Sequence, residues 1–263
     1  MKIDGKKIRD EILLEIGNNL AGKSICFIQF QDDPIAKKFV ESKQKIATYL
    51  GVTSNYIIIP VPTTEDAIKT LNNEIMKGYS GIVIQLPLPQ HLDQTQILSH
   101  IPTSLDIDLL NEKTIDLFKN GSTSMIPPVA RAISTIFEKE NIDLKNKTIV
   151  IIGRGKLVGL PLSILFDNNR ISYSIFGRNS NQEEMMKALL MADIIISGIG
   201  VPSFIQPTMI KQGVILIDAG TSEQQGVTVG DIDPSCYEKA SLYTPVPGGV
   251  GPITVASIFQ NLQ

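Results

Sequence analysis

Lys147–Pro161 reads KTIVIIGRGKLVGLP, an apolar run that stops in a glycine-rich turn. Thr148 to Gly153 is mostly β-branched and scarcely interrupted by polar groups, the pattern of a strand buried on both faces. Gly153, Gly155 and Gly159 follow, and Leu160 to Phe166 carries a helical pattern. Such a strand, turn and helix present backbone N–H groups at a helix N-terminus, where a pyrophosphate can approach closely. The spacing is G-x-G-x-x-x-G, one residue longer than the usual dinucleotide fingerprint. On spacing alone the segment is either a cofactor cradle or a plain strand-to-helix turn.

The next segment sharpens the choice. Ile171 to Phe176 reads as a strand ending in Gly177-Arg178-Asn179-Ser180. That is roughly 20 residues past the glycines, where a protein that prefers NAD often holds the ribose 2′-hydroxyl with Asp or Glu. Here Arg178 stands at that place, and Arg154 lies in the glycine loop itself. Two guanidiniums favour a 2′-phosphate and hence NADP; the competing reading is a pair of solvated surface arginines. Strands expected over Met191–Gly200 and Gly213–Gly220 complete a βαβ series.

The 263 residues suffice for one large domain or two modest ones, and 43% hydrophobic with 19% charged residues is ordinary for a globular enzyme. A net charge of −3 gives no sign of a nucleic-acid or anionic-membrane partner. Cys26 and Cys236 lie far apart and in no CxxC arrangement, which suits buried thiols in a reducing compartment. The opening MKIDGKKIRDEILLEI mixes charges into an amphipathic pattern unlike a signal peptide, and no run approaches the length of a membrane span. A cytoplasmic location is the expectation.

Before the glycine turn the chain also alternates. A helix is expected over Ile8–Leu20, strands over Ser24–Phe30, Tyr56–Val61 and Gly81–Leu86, and helices over Ile35–Leu50, closed by Gly51, and Glu65–Lys77. Residues 102–110 and 121–128 read as linkers, a helix over Val129–Lys139 leads into the nucleotide half, and Tyr243–Gly251 (YTPVPGGVG) breaks both helix and strand. Pro252–Asn261 returns to a helical pattern. The fold class is α/β, two domains of parallel sheet and helices with a cleft between them.

Ligands bind beyond the carboxyl ends of strands in such sheets, and Gln85 sits at one, followed by Leu86-Pro87-Leu88-Pro89. Lys43 shares a helix face with Phe39, beside Val40 and Ile46. Partly buried there, it would have a lowered pKa and serve as acid or base near neutrality; otherwise it is a surface lysine among Lys37, Lys38 and Lys45. Asp106 and Asp108 alternate, so an extended chain sends both carboxylates to one side, although Asp108 alone would more often be a helix cap. His91 and His100 pair with no nucleophile and have no metal-ligand spacing, so no metal is expected. The residues themselves lead to an NADP-linked oxidoreductase of unspecified substrate.

Gly81–Pro89 (GIVIQLPLP), Gly153–Pro161 (GRGKLVGLP) and Thr244–Pro252 (TPVPGGVGP) together resemble the bifunctional methylenetetrahydrofolate dehydrogenase/cyclohydrolase family. The likeness extends along the chain, through Ala192-Asp-Ile and Gly230-Asp-Ile-Asp233. It implies an N-terminal folate-binding α/β domain over 1–120, with residues 252–263 packing back on it, and a Rossmann-type NADP-binding domain over 121–251. It also implies Lys43, Gln85 and Asp108 as the catalytic set, with Gln85 orienting the lysine and Asp108 accepting from the pterin. Phe39, Pro87, Leu88, Pro247, Gly248 and Gly249 would meet the folate, and Gly153, Arg154, Gly155, Val158, Gly159, Arg178 and Gly200 the NADP. The implied reaction is oxidation of 5,10-methylenetetrahydrofolate, then ring opening to 10-formyltetrahydrofolate, by a homodimer. A dehydrogenase without the ring-opening step, or a binder without catalysis, are the alternatives.

The chain departs from the family pattern at four places. A tyrosine of the family is Phe39, its P-C-T-P-x-G segment is Pro127-Pro-Val-Ala-Arg-Ala132, the serine of G-R-S is Gly155, and the residues flanking D-V-D are Leu105 and Leu109. Phe39 and Val129 bear on the folate side, Gly155 on the NADP phosphate.

Overall fold

A computed structural model describes residues 1–224 and 227–263. The chain divides into two compact units, one of residues 12–127 and 255–263, the other of residues 1–11 and 128–254.

Helix α1 (Gly5–Ile16) leads in, its first turn capped by the Asp4 carboxylate, which accepts from the N–H groups of Lys6 and Lys7. Then come β1 (Ser24–Gln29), α2 (Pro34–Tyr49), β2 (Thr53–Ile58), α3 (Thr64–Ile75), β3 (Gly81–Ile84), α4 (Gln94–Leu98) and α5 (Glu112–Lys119). The three strands form a parallel sheet in the order β2-β1-β3. Its core gathers Ile28, Phe30, Leu71, Ile82, Ile84 and Ile97, each nearly or wholly excluded from water. Helix α2 ends before Gly51, which takes φ +68°, a conformation that costs glycine little. Helix α3 starts on a reciprocal cap: Thr63 Oγ1 accepts from the Asp66 N–H at 3.1 Å and donates to the Asp66 carboxylate at 2.8 Å.

Residues 102–110 are not a linker. Asp106 makes a parallel bridge to Ile82, and Ile107 and Leu109 are buried. The alternation of apolar with acidic residues conceals a turn at positions 107–108, after which Leu109 takes φ +52°. Strand β2 lies three residues ahead of the expected 56–61, because the Thr53 N–H already pairs with Lys23 O.

The other unit holds α6 (Pro128–Lys139), β4 (Ile149–Ile152), α7 (Gly159–Asn168), β5 (Ser174–Phe176), α8 (Gln182–Met191), β6 (Ile194–Ser197) and β7 (Ile215–Asp218). A short antiparallel pair, β8 (Ser222–Gln224) with β9 (Val227–Val229), precedes β10 (Leu242–Tyr243), and α9 (Val250–Gln260) begins in this unit. The main sheet is parallel in the order β10-β7-β6-β4-β5. Every residue of β4 and β6 is buried, as their unbroken apolar runs predict. Strand β5 is shorter than expected: the Ile171 N–H returns to Phe166 O and the Tyr173 hydroxyl to Asp167, so residues 171–173 are tied to the end of α7.

The first residues belong with this unit because they lengthen its sheet. Lys2 bridges Tyr243 in parallel, the Ile3 N–H donates to Tyr243 O at 2.9 Å, and the Tyr243 N–H donates to Met1 O at 2.9 Å. The last residues belong with the three-stranded unit, where the Asn261 side-chain amide donates to Ile107 O at 2.8 Å and Ile126 O at 2.9 Å.

Candidate functional site

In the three-stranded unit, α2 and the carboxyl end of β3 bring Lys43 to Gln85. The Gln85 N–H is still held by Ile28 O at 2.8 Å, and its side-chain amide donates to Leu86 O at 3.0 Å. Those two bonds fix the amide, leaving Oε1 to accept from Lys43 Nζ at 3.1 Å. By surface area Lys43 and Asp108 are each only half-buried, so water reaches part of each side chain. Their charged ends are nevertheless surrounded by protein. Burial lowers the Lys43 pKa from the ordinary lysine range and the nearby Asp108 charge partly restores it, while burial raises Asp108 and Lys43 partly offsets that. The result is an amine and a carboxyl whose proton affinities converge from opposite sides, an arrangement suited to proton transfer.

Asp106 does different work from Asp108. It is wholly buried, and its carboxylate accepts from the Leu110 N–H at 3.0 Å and the Asn111 N–H at 2.9 Å. It holds the turn that presents Asp108, so the expectation of two carboxylates on one side fails: the chain there is a turn, not an extended strand. Burial pushes Asp106 up to about 6.

Around this set, Phe39 is 44% exposed, with no hydroxyl to orient. Pro87 is exposed after a cis Leu86–Pro87 bond, whereas Leu88 turns inward and joins the core. Tyr56, Gln29 and Gln31 went unremarked in the sequence. The Tyr56 hydroxyl donates to Gln29 Oε1 at 2.5 Å, and Gln29 Nε2 donates to Gln31 O at 2.6 Å, fixing the turn before α2. A polar residue inside the apolar run SICFIQF was the available signal.

In the five-stranded unit the glycine turn is a close-packed cradle. A Cβ on Gly159 would lie 1.9 Å from Gly153 O, and one on Gly153, which has φ +107°, would lie 2.6 Å from Gly198 O. Gly155 faces open space and would accept a side chain. Two of the three glycines are thus required by sterics, and the backbone at the start of α7 stays bare enough for a pyrophosphate. Val158 is buried against Gly198, and Gly200 is exposed with φ +72°. Arg154 crosses the end of β5, its stem beneath Gly177 and its Nη2 donating to Ile175 O at 2.7 Å. Arg178 is exposed in a turn closed by the Gly177 N–H to Ser180 Oγ bond at 2.9 Å. An anchored guanidinium and an exposed one at the end of β5 fit the 2′-phosphate of NADP.

The Thr244–Pro252 loop lies in the same unit. Pro247 is exposed after a cis Val246–Pro247 bond, Gly248 takes φ +106°, and Gly249 is buried, where a Cβ would lie 2.6 Å from Pro245 O. Gly5, which sequence reasoning passed over, supports the loop: its N–H donates to Gly248 O at 2.9 Å, and a Cβ on it would lie 1.8 Å from Gly249 O. Its only mark in the sequence is a glycine directly after a capping aspartate.

A doubly wound unit with a glycine cradle and two guanidiniums at the end of β5, together with a unit carrying a lysine of lowered proton affinity, defines a dinucleotide-dependent dehydrogenase. Comparison with known proteins makes the class specific. Residues 3–108 match the catalytic domain, and residues 127–263 the NAD(P)-binding domain, of tetrahydrofolate dehydrogenase/cyclohydrolase. The chain is 37% identical over 265 residues to the bifunctional protein FolD of Mycoplasmopsis synoviae, covering 98% of this chain and 92% of that protein. The fold is similar to the crystal structure of the bifunctional FolD methylenetetrahydrofolate dehydrogenase/cyclohydrolase from Campylobacter jejuni, with TM-score 0.92 and 28% identity over 100% of this chain and 96% of that one. The Trypanosoma brucei dehydrogenase-cyclohydrolase, solved with NADP and an inhibitor, gives TM-score 0.92 at 25% identity, covering 100% of this chain and 95% of that one. This chain belongs to the tetrahydrofolate dehydrogenase/cyclohydrolase family.

Proposed function

We propose that this protein oxidises 5,10-methylenetetrahydrofolate to the 5,10-methenyl cation with NADP, and hydrolyses that cation to 10-formyltetrahydrofolate. The observation that carries the reading is the 3.1 Å bond from Lys43 Nζ to a Gln85 amide fixed at the end of β3. When bound, NADP supplies the hydride acceptor. Gly153, Val158, Gly159 and Gly200 give it bare backbone and close packing, and Arg154 and Arg178 take its 2′-phosphate. The chain's contribution to the first step is positioning, which needs no protein acid.

In the second step water adds to the methenyl carbon and releases one proton to solvent. The proton of the resulting hydroxyl then leaves as the bond from that carbon to N5 breaks, and N5 takes up a proton, which leaves the neutral formyl product. Lys43 manages both transfers, directly or through one water. Its lowered pKa eases release of its proton, and Gln85 fixes where that proton points. Asp108 accepts hydrogen bonds from the pterin and steadies the lysine's charge. The exposed ring of Phe39 and the Pro87–Leu88 backbone line the folate.

The enzyme works as a cytoplasmic homodimer joined through its nucleotide units, in keeping with its free, buried cysteines and with the exposed side chains of Leu157 and Leu160 beside the cradle. Among the described residues no helix is long and apolar enough to cross a membrane. The test supplies methylenetetrahydrofolate with NADP or NAD and follows methenyl absorbance in the near ultraviolet. Formation of the methenyl product, faster with NADP, is expected; no product with either nucleotide overturns the assignment.

A further inference from the structure

The cradle accounts for the glycine turn but not for two carboxylates buried beside it. Asp231 is wholly buried and takes four hydrogen bonds. Its Oδ2 accepts from Ser197 Oγ at 2.9 Å, the Ile199 N–H at 2.8 Å and the Gly200 N–H at 3.3 Å, and its Oδ1 accepts from the Val201 N–H at 2.9 Å. Asp218, at the end of β7, holds Asp231 in turn. Its Oδ1 accepts from the N–H groups of Gly220 at 3.0 Å and Asp231 at 3.1 Å, and its Oδ2 from Ile232 at 2.9 Å. The Asp218 N–H donates to Thr244 Oγ1 at 2.7 Å, tying in the proline-glycine loop. Space is cleared for both: a Cβ on Gly220 would lie 2.2 Å from Asp231 Cγ, and one on Gly230 would lie 2.1 Å from Asp218 Oδ2.

Topology says which part of the cofactor this serves. Chain direction across the sheet reverses between β4 and β6, and a dinucleotide crosses such a sheet at its reversal. With the pyrophosphate at the glycine turn, the adenosine half lies toward β5 and Arg178, and the nicotinamide half toward β6 and β7. The Ile199–Val201 backbone, next to the turn through the Gly153–Gly198 contact, is on the nicotinamide side. Three successive amides there have one shared acceptor, an anion that no water or neutral group replaces equally.

We infer that Asp231 is a positioning residue that sets the Ile199–Val201 backbone against the nicotinamide half of NADP, with Asp218 as its support. The inference rests on the NADP reading and deepens it. Asp231→Asn has one acceptor oxygen where the carboxylate has two. The oxygen turns to the three donors at Ser197, Ile199 and Gly200, and the new NH2 meets the Val201 N–H, donor against donor. The loop yields at Val201 while the cradle and Arg178 stay in place.

Calorimetric titration of the full chain with NADP and with adenosine 2′,5′-bisphosphate tests this, since the second ligand carries only the adenosine end. Asp231→Asn is expected to weaken NADP about tenfold, the effect of one lost charge-assisted bond, and to change the fragment less than about twofold. Ser197→Ala removes one donor and keeps the carboxylate, so a smaller loss of about threefold in NADP alone is expected; it carries the comparison if Asp231→Asn does not fold. Equal weakening of both ligands, or an unchanged NADP affinity, overturns the inference. A wild-type chain that binds neither ligand overturns the NADP reading beneath it as well.

Discussion

Replacing Gln85 should move the proton affinity of Lys43 in a direction set by the replacement. Gln85→Leu removes the acceptor 3.1 Å from Nζ and leaves an aliphatic side chain of similar length. A hydrogen bond to a charged group contributes about 1.5–3 kcal/mol, and the half-exposure of Lys43 puts this one at the low end. The protonated form loses that stabilisation, so the pKa, already depressed by burial, falls by roughly one further unit. Gln85→Glu puts a carboxylate in the same place and raises the pKa by about one unit or more. The assay is the pH profile of methenyl ring opening, followed by loss of near-ultraviolet absorbance above the buffer rate. Whichever form of the lysine the step uses, its midpoint should move down in Gln85→Leu and up in Gln85→Glu. Midpoints that stay put, or move the same way in both, refute the role given to this pair.

Other outcomes follow from the same geometry. Gly159→Ala forces a methyl to within 1.9 Å of Gly153 O, so it should destabilise the five-stranded unit by about 1–3 kcal/mol and abolish NADP binding. Gly155→Ser meets open space and should change stability by less than about 0.5 kcal/mol while strengthening NADP; denaturant melts and titrations read both. Arg178→Ala should raise the KM for NADP about tenfold and leave that for NAD unchanged, which steady-state kinetics with each nucleotide will show. Asp106 is pushed up to about 6 from 3.8, so the folded protein holds a proton that the unfolded chain releases. Its stability contribution is complete below the ordinary carboxylate pKa and is lost as pH rises toward 6, about 3 kcal/mol in all. Asp106→Asn does not titrate and should remove that fall from denaturant unfolding curves taken across the interval.

Local patterns carried much of this molecule. The unbroken apolar runs of β4 and β6, the glycine turn, and the lysine on one face of α2 are statements about adjacent residues, and the structure keeps them. What stayed hidden depends on partners far away in the chain. Asp231 looks like any aspartate after a glycine until Ser197 and the Ile199–Val201 amides are seen around it. Gly5 matters because of Gly248, at the other end of the sequence. Helices α4 and α5 are short, and their starts depend on single caps, Asp93 and Asn111, that also read as loop residues. Asp106 misled for another reason: alternating polarity predicts a strand, and the left-handed Leu109 that breaks it has no glycine to announce it.

The central claim is that Lys43 carries the ring-opening step and not the hydride transfer. Lys43→Met keeps the apolar stem and removes the amine, so methenyl-tetrahydrofolate supplied without nucleotide is the substrate to use. Wild type should consume it well above the buffer rate and Lys43→Met at the buffer rate, while the variant still forms methenyl product from methylenetetrahydrofolate and NADP. Ring opening by Lys43→Met at the wild-type rate would contradict the account.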